Sequence, residues 1–415
     1  MAGQKFTLPN DIAYADNVGN ILRGLLNGVK QTAQSFAAIH DLDAEYLEMV
    51  MQGQRPITSK IIQAVESHPP LNARDLLTPN RRWEIPVNDD TTDGVVICPP
   101  EKMMATKRRF HRGPAGNKVP FYDYADTAMS KTSPFRPEWI AELYVNEGAN
   151  PFSMPHWAFN NGHFEFQMTY FIGQVNFHWI DKLGEKHVCQ MNTGDMNFIT
   201  PFVPHTFTTR VQDGGLILAV TYGGAISTPE FQAEIQQLSL QEFLDKYLAQ
   251  IADRSHIVSQ TINQSACREI TALGGIIIKR YQDAKTRCVP FPGTKELISG
   301  IPFQPYTQAF EHNVAPRGSQ TAFQNESEIW GYVTGELPIQ LKWADHSETM
   351  NQNTSFFIKP KTPHLPQSAL NRPAQMITME IKPGAGNPID ELGMIHEFTG
   401  IAGLQRVHSE TKQWF

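Results

Sequence analysis

One short stretch occurs twice in this chain. Phe198-Ile199-Thr200-Pro201-Phe202-Val203-Pro204-His205 is matched by Phe357-Ile358-Lys359-Pro360-Lys361-Thr362-Pro363-His364. Each copy follows a Gly-ended turn unit, Phe171-Ile172-Gly173 in one and Val333-Thr334-Gly335 in the other. A long internal repeat of this kind predicts two similar units in tandem. Each Pro-x-x-Pro-His turn follows a strand-like apolar pair, so the repeated unit contains β-structure.

The pattern around the repeat agrees. Ile21, Leu22, Leu25 and Leu26 have helical spacing, as do Tyr46, Leu47, Val50 and Met51, then Ile61, Ile62 and Val65. This resembles a helix-turn-helix bundle. A linker rich in Pro and Asp follows, from Pro79 to Pro100. Between about 102 and 232 short β-rich runs alternate with Gly, Asn, Asp and Pro, the pattern of a sandwich or barrel. Helical spacing returns at Leu240, Phe243, Leu244, Tyr247, Leu248 and Ile251, and strands resume at about 300. The expected fold is α+β: a helical module plus a barrel, repeated. The units are 1–100 (helical module and linker), 101–232 (barrel), 233–298 (second helical module) and 299–415 (second barrel).

Charge narrows the partners. The chain has 35 Lys and Arg against 42 Asp and Glu, net −7, which does not suit nucleic acid. The segment that would be a recognition helix, Asp43 to Val50, carries three acids and no base. Four scattered cysteines without a CxxC pair fit reduced thiols. With no signal-like apolar core at the N-terminus and no run of 18 apolar residues, the expectation is a cytoplasmic protein without membrane contact.

Chemistry concentrates in Asn160-Asn161-Gly162-His163-Phe164-Glu165-Phe166-Gln167 and in Pro201 to His205. Two histidines about forty residues apart in strand-rich sequence suit a mononuclear metal site, with an oxygen ligand as third partner. The spacing resembles the two motifs of the cupin superfamily, so both barrels are expected to be cupin double-stranded β-barrels. His163, Glu165 and Gln167 would face one way on a straight strand, but 163 and 167 would then lie roughly 13 Å apart, so a bend is expected. On the residues alone both Glu165 and Gln167 stay open as third ligand, with Glu165 ahead because a carboxylate binds more strongly than a neutral amide. The second copy offers Asn325 and Ile329 opposite His163 and Gln167. It keeps His364 and loses the other ligands, and is read as structural, or as a lid or dimer surface.

Taken together, the Asn-Asn-Gly-His and Pro-x-x-Pro-His motifs, Lys30, Arg108-Arg109-Phe110-His111-Arg112 and Phe121-Tyr122-Asp123-Tyr124 resemble the hydroxyethylphosphonate dioxygenase and methylphosphonate synthase family. The resemblance runs over nearly the whole chain. In the dioxygenase branch a glutamate ligand sits six residues before the second histidine; here that position is Ile199. In the synthase branch it is apolar, and a glutamine four residues after the first histidine takes over, as Gln167 does. The resemblance therefore implies Fe(II) on His163, Gln167 and His205. It also implies 2-hydroxyethylphosphonate and O2 as substrates, without 2-oxoglutarate, and methylphosphonate and carbon dioxide as products. Arg112, Tyr124, Asn160 and Thr221 would bind substrate, with Arg109 competing for the role of Arg112. Lys30 and Tyr124 would take part in catalysis, Lys30 reaching the site of a neighbouring subunit in a homo-oligomer.

Three other readings compete. Hydroxymethylphosphonate and formate are the products if the dioxygenase outcome holds. A helix-turn-helix regulator whose cupin senses a ligand is the non-enzyme reading, and salt-sensitive DNA binding distinguishes it. A cupin isomerase or decarboxylase would consume no oxygen.

Overall fold

The computed structural model describes residues 18–77, 87–133, 135–263, 274–288, 290–305, 307–316, 322–382 and 385–414. Cys267 and the start of the expected linker lie outside them. Helices α1 (Val18–Gly28), α2 (Ala33–Ile39), α3 (Ala44–Met51) and α4 (Ser59–Ser67) enclose a core of their own around Leu22, Leu26, Phe36, Leu47, Val50 and Val65. Thr32, Asp43 and Thr58 each accept first-turn amides at the starts of α2, α3 and α4, satisfying donors a helix start leaves free. No described helix is long and apolar enough to cross a membrane.

Strand β1 (Val95–Cys98) and helix α5 (Pro100–Ala105) lead into the first barrel: β2 (Arg108–Arg112), β3 (Val119–Asp126), β4 (Arg136–Glu142), β5 (Phe166–Gly173), β6 (Val175–Ile180), β7 (Lys186–Met191), β8 (Met196–Ile199), β9 (His205–Thr209) and β10 (Gly215–Tyr222). Helices α6 (Pro229–Gln237) and α7 (Leu240–Asn263) follow, then β11 (Ile276–Lys279). The second barrel comprises β12 (Lys285–Arg287), β13 (Thr294–Ile298), β14 (Gln308–Val314), β15 (Glu328–Val333), β16 (Ile339–Trp343), β17 (His346–Met350), β18 (Ser355–Ile358), β19 (His364–Ser368) and β20 (Ala374–Ile381). Helix α8 (Pro388–Trp414) closes the chain, broken at Gly400 (φ 67°).

Each barrel pairs a large sheet with a small one. The orders are β11-β8-β5-β10-β4-β3-β2 with β7-β6-β9, and β1-β18-β15-β20-β14-β13-β12 with β17-β16-β19. The two halves therefore exchange a strand. β1, which precedes the first barrel, pairs with β18 of the second, and β11, which precedes the second, pairs with β8 of the first. The large sheets also pack against each other, Phe166, Phe198 and Tyr222 sharing one core with Trp330, Tyr332 and Phe357. Burying each such side chain contributes about 1.5–3 kcal/mol, so the second barrel buttresses the first.

The helical repeat departs from expectation. Residues 276–279, 285–287 and 294–298, expected in a second helical module, are strands. The β-branched run Ile276-Ile277-Ile278 favours extended chain and pairs residue for residue with β8, Ile276 opposite Ile199. Likewise 388–414, placed within the second barrel, is helical. It packs on α6 and α7 through Leu392, Ile395, Leu404 and Val407. The second helical cluster thus takes one member from the C-terminal end and is no copy of the first.

Candidate metal and substrate site

Antiparallel partners carry their side chains on the same sheet face, so register identifies what lines the first barrel. One row runs Arg136, Thr221, Gln167, Ile199, Ile276 across β4, β10, β5, β8 and β11. The next runs Asp126, Glu138, Ala219, Thr169, Asn197. Ile199, Ile217 and Ala219 belong to the interior core, so both rows face inward.

His163 sits in the turn before β5, not on the strand, which supplies the expected bend. Gly162 takes φ 68°, and a Cβ there would come within 2.3 Å of the Phe202 backbone carbon. Only glycine permits that approach. The Phe202 amide donates to the His163 carbonyl (2.9 Å). Asn160 Oδ1 accepts from the amides of Gly162 and His205 (2.9 Å each). The two histidine turns are thereby tied together. From α8, Arg406 donates to the carbonyls of Asn161 (2.5 Å) and Gly162 (2.9 Å) and lies 4.2 Å from the Phe202 ring centre.

Tautomers follow from the partners. His163 Nδ1 donates to the Glu165 carbonyl (2.8 Å) and His205 Nδ1 to the Val203 carbonyl (2.9 Å). A carbonyl only accepts, so each ring keeps a lone pair on Nε2. The rings stand 5.1 Å apart, nearly perpendicular. Gln167 Nε2 donates to Thr169 Oγ1 (2.8 Å), which aims Oε1 at His163 Nε2, 3.0 Å away. Ligand bonds of about 2.1 Å meeting at right angles put neighbouring donor atoms about 3 Å apart, so this spacing suits an ion. Asn160 Nδ2 lies 3.0 Å from His205 Nε2, and an ion on that nitrogen takes the place of this contact. Burial and the Lys30 charge push the His163 imidazole down to about 4. Burial and neighbouring His163 hold His205 well below its usual value. Both rings are neutral at pH 7, as ligation requires.

Glu165 turns elsewhere. Its carboxylate pairs with Arg136 (3.2 Å), and it meets His163 through its backbone carbonyl. Asp181, Glu185 and His187 also gather closely, but Asp181 there accepts the Leu183 and Glu185 amides (2.9 and 3.0 Å), an Asx turn that shapes the β6–β7 hairpin.

The other expected residues surround this point. Arg112 lies 5.1 and 5.0 Å from the ring centres of Phe121 and Tyr122 and donates to the Ala158 carbonyl. Arg109, the competitor, points out of the barrel and holds both oxygens of Asp123 (2.7 and 2.8 Å). Tyr124 is buried beside Phe110 and Tyr122. Thr221 is the register partner of Gln167, and its hydroxyl donates to the Arg136 carbonyl (3.2 Å). Lys30 lines a cavity of about 510 Å³ together with His163, Asn160, Glu165 and Arg136. Within this one chain, the α1–α2 turn brings it there.

Sequence reasoning missed Arg406, Glu138 and Glu142. Glu138 is buried in the row beside Gln167 and pushed up to about 7 by burial. Glu142 is buried with both oxygens unpartnered, and burial holds its carboxyl protonated far above the usual range. Their β4 alternation with outward residues was the available signal. For Arg406, far from both motifs in sequence, there was none.

In the second barrel the corresponding row is Gln308, Glu380, Ile329, Ile358, Val95. The Lys361 amide donates to the Asn325 carbonyl (2.8 Å), as Phe202 does to His163, and Phe202 and Lys361 share positive φ (66° and 62°). Asn325 and Ile329 thus stand where the first barrel has His163 and Gln167. His364 keeps the His205 turn, its Nδ1 donating to the Thr362 carbonyl (2.9 Å).

No family model matches the chain. It is 30% identical to methylphosphonate synthase of Nitrosopumilus maritimus (strain SCM1), across 97% of this chain and 96% of that one. Among solved structures it resembles Streptomyces albus HEPD with 2-hydroxyethylphosphonate and Fe(II) bound, at 25% identity and TM-score 0.58, covering 98% of this chain and all of that one. Fold and site define a tandem-cupin protein whose first barrel gathers His163, Gln167 and His205, and whose second has Asn325 and Ile329 at the positions of the first two. The chain belongs to the hydroxyethylphosphonate dioxygenase and methylphosphonate synthase family.

Proposed function

We propose that this chain is an Fe(II)- and O2-dependent enzyme that converts 2-hydroxyethylphosphonate to methylphosphonate, carbon dioxide and water. The observation that carries the choice of product is the inward pair Gln167–Ile199, an amide where it can ligate and an apolar side chain beside it. The relative's name and the substrate and metal bound by the HEPD structure support the reading.

His163, Gln167 and His205 would hold the iron, which would supply the activation of O2. Arg112 and Asn160 bind the phosphonate, and the Arg112 guanidinium matches its charge with a planar fork of donors. Tyr124 donates its phenol proton to a phosphonate oxygen; burial keeps that phenol protonated. Thr221 borders the substrate hydroxyl beside Gln167. Lys30, at the cavity wall, donates a proton as O2 is reduced. Aromatic walls from Phe121, Tyr122 and Phe207 exclude water, which strengthens each of these interactions. The balance closes without a co-reductant: one substrate and one O2 give one methylphosphonate, one carbon dioxide and one water, all four electrons coming from C2.

Oxygen uptake tests this reading. It should require both Fe(II) and 2-hydroxyethylphosphonate, and be unaffected by 2-oxoglutarate. Uptake without the phosphonate, or none with it, rejects the reading.

A further inference from the structure

Helix α1 ends in a reversal that presents Lys30. The Lys30 amide donates to the Asn27 carbonyl (3.0 Å) and the Gln31 amide to the Leu26 carbonyl (2.8 Å). Lys30 itself sits at φ 51°, a left-handed backbone that usually falls to glycine or asparagine at a helix end. A lysine held there is anchored by something else.

That anchor comes from the barrel. Arg108 is the first residue of β2, its side chain 5% exposed. Its Nε donates to the Lys30 carbonyl and its Nη2 to the Val29 carbonyl, both at 2.8 Å. Its Nη1 pairs with Asp126 on β3 (2.8 Å). All edges of the guanidinium are used, which a lysine ammonium could not imitate. Arg108 is also the register partner of Tyr124, and Asp126 that of Glu138. One buried side chain thus fixes the Lys30 turn to the strands that carry the substrate-facing residues. The Lys30 charge acts on the far side of this junction, lowering Glu138, His163 and His205 alike.

We propose that Arg108 is a positioning residue for Lys30: it sets where the helical module places the ammonium relative to the His163–Gln167–His205 site. The inference rests on the role given to Lys30 above. It assigns the helical module a task inside its own chain, which is to carry one side chain to a barrel that cannot supply it.

A second tie between module and barrel provides the control. Lys131 pairs with Glu66 of α4 (2.7 Å), away from Lys30. The test compares full-length, iron-loaded Arg108→Gln, Arg108→Lys, Lys131→Gln and Lys30→Ala with the parent. It measures kcat, KM, bound iron and amide hydrogen exchange. Arg108→Gln should lower kcat at least tenfold with iron content kept, and should speed exchange at the Lys30 and Gln31 amides while the α2–α4 amides stay protected. Arg108→Lys, which keeps the charge and the Asp126 pair, should fold and recover only part of the rate. Lys131→Gln should stay within twofold of the parent. Folded Arg108→Gln or Arg108→Lys with parental kcat, beside an impaired Lys30→Ala, overturns the positioning role alone. So does an equal loss in Lys131→Gln, which would make the effect general loosening of the module. Parental turnover in Lys30→Ala removes the role of Lys30 and this proposal with it.

Discussion

Gln167 and Ile199 are direct partners across β5 and β8, both facing the interior of the first barrel. The amide reaches His163 Nε2 at 3.0 Å because Thr169 holds its other end, and Ile199 closes the neighbouring position with hydrocarbon. With Gln167 as ligand, as proposed above, the centre would have a neutral oxygen donor where a carboxylate at 199 would add a negative charge. Between unit charges a few ångströms apart the difference is several kcal/mol at a protein-like dielectric.

Restoring that charge should move the products. Ile199→Glu places a carboxylate beside the ligand amide, and Gln167→Ala in the same chain leaves it as the oxygen donor. The double variant should raise the ratio of hydroxymethylphosphonate to methylphosphonate by about tenfold or more, a change of about 1.4 kcal/mol in relative barriers. Phosphorus NMR of the product mixture reads it. An unchanged ratio in an active, iron-loaded variant rejects the link between ligand charge and product.

The two arginines of β2 should separate cleanly. Arg112→Ala should raise KM for 2-hydroxyethylphosphonate by about 10–100-fold, the value of one hydrogen bond to a charged group. Arg109→Ala should stay within about twofold, since Arg109 is tied to Asp123 outside the barrel and exposed substitutions rarely matter. The opposite pattern would make Arg109 the phosphonate ligand.

Metal affinity should be insensitive to pH over the neutral range. Ordinary imidazoles protonate near 6.5 and then compete with the metal. His163 is depressed to about 4 and His205 lies well below its usual value. Cobalt(II) titrations of the apoprotein should therefore give the same affinity from pH 8 to pH 6 and weaken only as the pH approaches 4. A steep loss between pH 7 and pH 6 would contradict the buried, Nδ1-protonated arrangement.

A part-buried carboxyl in the second barrel should set part of the pH dependence of stability. Burial pushes Glu380 up to about 7, above its value in the unfolded chain. The native state then holds this proton more tightly than the unfolded state. Its stabilising contribution is complete below pH 4.5 and is lost as pH rises from there through 7. Glu380→Gln keeps the neutral form, so it should gain stability over the parent across that window, on the order of 3 kcal/mol at most. Thermal unfolding at pH 5 and pH 8 measures it; equal differences at both would show Glu380 ionised in the fold.

The barrel repeat, the strand-rich units and the two histidine turns were legible in the sequence because these depend on local pattern. The bend between His163 and Gln167 was legible as a distance that a straight strand could not close. The strand exchange was not. β1 and β11 have the composition of any short strand, and only the tertiary fold decides which barrel each joins. The third member of the second helical cluster lies at 388–414, too far from α6 and α7 for periodicity to connect them. Glu165 shows the limit of residue chemistry. It is the better ligand by type, yet Arg136 is placed to take its carboxylate, and that partner sits on another strand.

Product identity tests the central claim most directly. The purified protein, loaded anaerobically with Fe(II), is mixed with 2-hydroxyethylphosphonate labelled with carbon-13 at C2 and exposed to O2. The account predicts a methylphosphonate signal by phosphorus NMR and one equivalent of labelled carbon dioxide. Hydroxymethylphosphonate with labelled formate as the main products would contradict it.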